Sequence, residues 1–134
     1  MSAVLVDSNV ILDIATEDPR WFAWSAAALE AEANRSTLVV NPLIYAEVSI
    51  GFARIEDLDS ALPPTLYLRE PLPFEAAFLA GKAFLQYRRR GGHRTNSLPD
   101  FYIGAHAAIR GFRLLTRDAS RYRSYFPTVE LIHP

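Results

Sequence analysis

Four acids, Asp7, Glu47, Asp100 and Asp118, fall at comparable points along this 134-residue chain. Asp7 directly follows the apolar run Ala3–Val6, and Glu47 lies in the helical stretch after Leu38–Val40. Asp118 comes two residues after the run Arg113–Thr116, and Asp100 opens the helix that leads into that run. In an open α/β sheet, sites form outside the carboxyl ends of the strands. The four acids are therefore expected at one sheet edge. Ionised carboxylates gathered there repel and raise one another's pKa, which a cation relieves. Hard oxygen donors without His or Cys suit Mg²⁺ or Mn²⁺. Such a centre serves phosphoryl chemistry by activating a water and offsetting phosphate charge.

Each acid also has a plain structural role available. Asp7 can cap the helix after it, and Asp118 can begin a turn. Asp100 stands three residues after Ser97, the spacing of a capping box. Glu47 has Leu43 and Ile50 as helical neighbours, beside an apolar face where an unpartnered Glu is seldom buried. Four independent coincidences at one edge are less economical than one shared site.

The elements that must position these acids read as alternating strands and helices. Continuously apolar Ala3–Val6 suits a parallel strand buried on both faces. Asp18-Pro19 predicts a cap and first residue of a helix reaching Ala33, with Trp21, Ser25, Ala28 and Leu29 on one face. Leu38–Val40 is a second strand, and Asn41-Pro42 opens a helix to about Phe52. Arg54–Leu62 reads as a short helix or loop, and Thr65–Leu68 as a third strand. Phe74, Ala77, Phe78, Gly81, Phe84 and Leu85 recur at helical spacing and predict the core face of a long helix. Arg88-Arg89-Arg90 and Gly91-Gly92 end it. His93–Ser97 is a polar loop. Ser97-Leu98-Pro99-Asp100 opens a helix whose small residues Gly104, Ala105, Ala107 and Ala108 suit close packing on a sheet. Arg113–Thr116 and Val129–Ile132 are the last strands. Strands alternating with crossover-length helices predict a three-layer α/β fold around a mostly parallel sheet, in a single domain over residues 1–134.

Composition is that of an ordinary globular chain, half hydrophobic and 22% charged. With no cysteine, disulfides, thiolate metal sites and Cys nucleophiles are excluded. No apolar run approaches membrane-spanning length, and the N-terminus reads as a strand rather than a signal peptide, so the cytoplasm is the expected location. The net charge of −1 conceals a division: residues 1–81 sum to −8 and residues 82–134 to +7. Such asymmetry points to a polyanionic partner, or to two halves that neutralise each other on folding. His93, His106 and His133 make no metal-ligand spacing, and His106 on an alanine-rich helix reads as structural. Trp21, Phe22 and Trp24 exceed what one core stripe needs and suit either a partner surface or packing beneath a loop.

Asp7-Ser8-Asn9 after an apolar strand, Glu47 in NPLIYAEV, Asp100 in LPDFYIGAHA and Thr116-Arg117-Asp118 after a strand resemble the PIN-domain ribonucleases, and within them VapC-type toxins of type II toxin–antitoxin pairs. The resemblance spans essentially the whole chain. It implies a metal-dependent endoribonuclease, a VapB-like antitoxin that blocks the active site, and a homodimer. By position it implies that Asp7, Glu47, Asp100 and Asp118 form the acidic set, with Asn9 and Thr116 orienting carboxylates or water. There is one departure. Family members often carry a further acid three residues after the Asp118 position, before an aromatic; here Arg121 precedes Tyr122.

The mechanism expected is in-line attack of a metal-activated water on an RNA phosphodiester. Asp7 and Asp100 are the main Mg²⁺ ligands, and Glu47 and Asp118 complete the cluster. Arg89, Arg90, Arg94 and Arg117 flank the acids and are candidate contacts to RNA phosphates; capping and solvated surface explain Arg88–Arg90 as well. A phosphoaspartyl enzyme is a poorer fit. A dehalogenase-like phosphatase needs a second Asp where Asn9 stands, and a receiver domain needs a late Lys where the chain has only Lys82, within a helix. A degenerate PIN domain that binds RNA or a protein without catalysis is the non-enzymatic alternative.

Overall fold

The computed structural model describes residues 2–91 and 97–134. The expected 93–97 loop and Arg94 therefore lie almost wholly outside the described residues. Five strands form one sheet: β1 (Ala3–Val6), β2 (Thr37–Val40), β3 (Tyr67–Arg69), β4 (Arg113–Leu115) and β5 (Leu131–Ile132). Their order is β3-β2-β1-β4-β5, and every pairing is parallel. Helices α1 (Ser8–Ala15) and α2 (Phe22–Ala33) join β1 to β2, and α3 (Pro42–Ser49) and α4 (Ile55–Ala61) join β2 to β3. Helices α5 (Phe74–Arg89) and α6 (Leu98–Arg110) carry the chain to β4, and α7 (Ser120–Arg123) precedes β5.

Strand β1 is central, and Val4, Leu5 and Val6 are wholly buried. Burying such a side chain contributes about 1.5–3 kcal/mol, so this short strand is held firmly in register between β2 and β4. From β1 the chain winds outward to β2 and β3, then crosses back to lay β4 on the other side of β1. The winding direction reverses there, which leaves a crevice at the carboxyl ends of β1 and β4. Asp7 and Thr116 stand at its two lips.

Helix α5 buries a different stripe from the one its apolar spacing predicts, and of the expected rings only Phe84 packs against the core. Ala76, Ala80, Ala83 and Tyr87 are buried, while Phe74 is 91% and Phe78 69% exposed. The physical reason lies in α6, its main packing partner. Small side chains on α5 let the two helices approach closely, and rings fill the remaining gap: Phe84 and Tyr87 lie 5.5 and 5.4 Å from Phe101. Gly104 of α6 answers a second close approach. A Cβ there would fall 2.4 Å from the ring of buried Phe126.

Element ends differ modestly from expectation. Helix α2 begins at Phe22 rather than Pro19, because Asp18 Oδ1 accepts the amides of Arg20 and Trp21 at 2.9 Å each and holds a separate turn. Strand β3 starts at Tyr67 instead of Thr65, and β5 is confined to Leu131–Ile132. Residues 55–61 resolve as helix. Asn41 caps α3 by accepting the Ile44 amide at 2.8 Å, and Gly111 ends α6 at φ +71°, a conformation that favours glycine.

Candidate active site

Asp7 is the best-anchored acid of the crevice. It is the N-cap of α1, buried, and its Oδ1 accepts the Ser8 amide at 2.8 Å. Its Oδ2 accepts two hydroxyls, Tyr122 at 2.7 Å and Thr116 at 2.9 Å. Its own amide donates to Leu115 O at 2.9 Å, which ties the end of β1 to the end of β4. Burial raises the Asp7 pKa, and the charge of Asp100 adds to the rise against the lowering effect of these hydrogen bonds.

Glu47 is brought in from α3. Ser8 Oγ donates to its Oε1 at 2.9 Å, so one residue at the start of α1 holds two of the acids, Asp7 by its amide and Glu47 by its hydroxyl. Its pKa is also raised, chiefly by burial and further by the charges of Asp7 and Asp100. The charge of Asp100 acts on both Asp7 and Glu47, and that of Asp7 on Glu47, which marks the three as one electrostatic unit.

Asp100 and Asp118 meet through a cation. Asp100, at the start of α6, accepts the Ser97 amide on Oδ2 at 3.1 Å and forms the expected capping box with Ser97. Its Oδ1 faces Arg121 Nη1 at 3.2 Å. Asp118 accepts Ser120 Oγ on Oδ1 at 2.7 Å, and its Oδ2 lies 2.8 Å from Arg121 Nε. Burial pulls the Arg121 pKa down, but the charges of Asp100 and Asp118 outweigh it and the net direction is upward.

Asn9 and Thr116 join this framework as supports. Thr116 Oγ1 accepts the Asp118 amide at 3.1 Å and Asn9 Nδ2 at 3.3 Å, and Asn9 Oδ1 accepts the Arg117 amide at 3.3 Å. All six positions expected to do chemistry thus meet at the carboxyl edge of β1 and β4. The arginines do not gather with them in the same way. Arg117 turns to buried Asp13, with Nε 2.9 Å from Oδ2, and its guanidinium lies 5.5 Å from the centre of the Trp21 ring. Arg89 and Arg90 are exposed at the end of α5.

Three contributors escaped sequence reasoning: Ser8, Tyr122 and the bridging role of Arg121. The signals available were the hydroxyl next to Asp7 and the Arg-Tyr pair where an acid and an aromatic were expected. The donor chemistry fits a hard divalent cation, since the four carboxylates supply only oxygen. As they stand, no three Asp, Glu or His side chains among the described residues form a ligand shell.

The PIN domain family model matches residues 4–126. No curated protein matches the chain. Among solved structures, VapBC2 of Rickettsia felis, bound to a DNA fragment from its promoter, superposes with a TM-score of 0.73 at 17% identity, covering 98% of each chain. VapBC-1 of nontypeable Haemophilus influenzae gives 0.74 at 16%, over 98% of this chain and 97% of that one. A toxin–antitoxin complex of Klebsiella pneumoniae gives 0.70 at 19%, over 94% of both. These likenesses extend the shared fold over nearly the whole length. With a five-stranded parallel sheet, helices on its faces and a family match from the first strand to beyond α7, the chain belongs to the PIN domain family.

Proposed function

We propose that this PIN domain is a metal-dependent endoribonuclease, the VapC-type toxin of a toxin–antitoxin pair. The observation that carries the reading is the convergence of Asp7, Glu47, Asp100 and Asp118 at the switch point of the sheet. Asp7, Asp100, Glu47 and Asp118 would hold the ion, with Asp7 and Asp100 as the principal ligands. A bound Mg²⁺ or Mn²⁺ supplies Lewis acidity towards water and neutralises charge at the phosphate. Thr116 and Tyr122 hold Asp7 in place, and Asn9 steadies Thr116. Ser8 aims Glu47, whose raised pKa suits it to take a proton from the attacking water. Arg89, Arg90 and Arg94 are the proposed phosphate contacts, and Arg117 acts there only through the side of its guanidinium that Asp13 leaves free.

The toxin–antitoxin complexes among the structural neighbours support a VapB-like antitoxin as partner. A homodimer and a cytoplasmic location complete the reading. Among the described residues no helix is long and apolar enough to cross a membrane. A second reading, a PIN domain that binds RNA or a partner without cutting it, draws on Arg121, which engages two of the four acids.

Cleavage of an RNA pool by the purified chain, with Mg²⁺ or Mn²⁺ and with chelator, separates the two. Metal-dependent cuts are expected from the wild type and none from Asp7→Ala or Asp100→Ala of unchanged fold. Metal-dependent cleavage retained by either variant would reject the site.

A further inference from the structure

Arg121 binds one carboxylate oxygen of each of two acids. Asp100 Oδ2 accepts the Ser97 amide and hydroxyl, and Oδ1 accepts Arg121 Nη1. Asp118 Oδ1 accepts Ser120 Oγ, and Oδ2 faces Arg121 Nε. The guanidinium reaches the two with different nitrogens, Nη1 at 3.2 Å and Nε at 2.8 Å, as its planar fork allows. A cation that ligates these oxygens must displace the guanidinium or share them with it against its positive charge.

The side chain is built to leave. Arg121 is 40% exposed while Asp100 is 7% exposed, so the guanidinium sits on the solvent side of the carboxylate it covers. Its neighbour Tyr122 is wholly buried and bonded to Asp7, which anchors the backbone of α7. The side chain can therefore swing outward while the helix stays.

We propose that Arg121 is an internal counter-ion of the carboxylate cluster, competing with a divalent cation for Asp100 and Asp118, so that the ion loads only as the guanidinium lets go. This rests on the reading of the cluster as a metal centre. It gives the protein two states with one set of acids: an arginine-bridged form stable without metal, and a loaded form with the arginine released. The metal concentration needed to fill the site is set by the difference between them.

Calorimetric titration with Mn²⁺ alone tests this in the wild type, Arg121→Gln, Arg121→Lys and Asp7→Asn. Removing a charge-assisted competitor should tighten Mn²⁺ binding by about tenfold in Arg121→Gln, with Arg121→Lys between it and the wild type. Mn²⁺ binding no tighter in Arg121→Gln than in the wild type, with Asp7→Asn abolishing it, overturns the counter-ion role and leaves the metal centre standing. Absence of binding in every protein overturns both. A second measurement needs no variant that must fold: ¹⁵N spectra of the wild type during an Mg²⁺ titration. The Arg121 Nε–H signal should move towards a solvent-exposed position in step with the Asp100 amide. If the amide shifts saturate while the Arg121 signal stands still, the inference is wrong.

Discussion

The hydroxyl of Tyr122 donates to Oδ2 of Asp7 at 2.7 Å, joining residues 115 positions apart inside the core. Burial, then the charge of Asp7, keeps the Tyr122 pKa well above the ordinary tyrosine range, so the phenol remains a donor. Tyr122→Phe keeps the ring and removes only the donor. A hydrogen bond to a charged acceptor contributes about 1.5–3 kcal/mol, so this variant should lose about 2 kcal/mol in urea unfolding without metal. A loss of less than about 0.5 kcal/mol would mean that Thr116 and Ser8 suffice to satisfy Asp7.

Arg117 gives a second prediction, because it is both a proposed RNA contact and the partner of a buried acid. Asp13 is buried, accepts Ser25 Oγ at 2.8 Å and Arg117 Nε at 2.9 Å, and has no other route to neutrality in view. Taking away one member of such a pair strands a charge, at about 2–3 kcal/mol for a pair with one partly exposed partner. Arg117→Ala should therefore destabilise by that much, and Asp13→Asn in the same chain should restore most of it. A full double-mutant cycle by chemical denaturation measures this. If Arg117→Ala weakens RNA binding at unchanged stability, the phosphate role dominates.

His106 sets a pH dependence remote from the acids. It is fully buried, and its Nδ1 lies 3.0 Å from the amide nitrogen of Asn41, the residue that caps α3. An amide NH₂ only donates, so Nδ1 accepts and the ring is neutral. Burial lowers the His106 pKa, and the nearby Glu70 carboxylate opposes this only in part. The unfolded chain then binds more protons than the folded one as pH falls below about 6.5, and stability falls with pH through that window. Above it the contribution is fully present. Thermal unfolding between pH 7.5 and 5.5 should show the loss in the wild type, and His106→Gln should flatten that part of the curve. An unchanged slope in His106→Gln would assign the acid sensitivity elsewhere.

What was legible in the sequence was whatever a short local pattern dictates. An apolar run of four residues between polar signals suffices for a buried parallel strand, as with Ala3–Val6 and Leu38–Val40. A cap such as Asn41-Pro42 is local chemistry and stands where expected. Asp7, Asp100 and Asp118 were findable because each is pinned near a strand end or helix start, and Glu47 because it follows the second strand on the next helix. Helix α5 was not legible in the same way. It carries two interleaved apolar stripes, one bulky with Phe74 and Phe78, one small with Ala76, Ala80 and Ala83. Summed hydrophobicity favours the bulky stripe, and only the close approach of α6 selects the small one. Arg121 stands out in sequence as a departure from the family's acid, but its bridging of Asp100 and Asp118 depends on the distance between two helix starts.

The long-range bond between Asp7 and Tyr122 has a bearing on biosynthesis. Asp7 emerges early and finds at once only the amide of its own helix. Thr116 and Tyr122 follow it by 109 and 115 positions, and Arg121 comes immediately before Tyr122. A centre with such sequence separation cannot close before its distant part exists. An unfinished or prematurely terminated chain that stops short of α7 therefore carries Asp7 without its hydroxyl clamp, and the acids have no common edge to meet on until β4 pairs with β1.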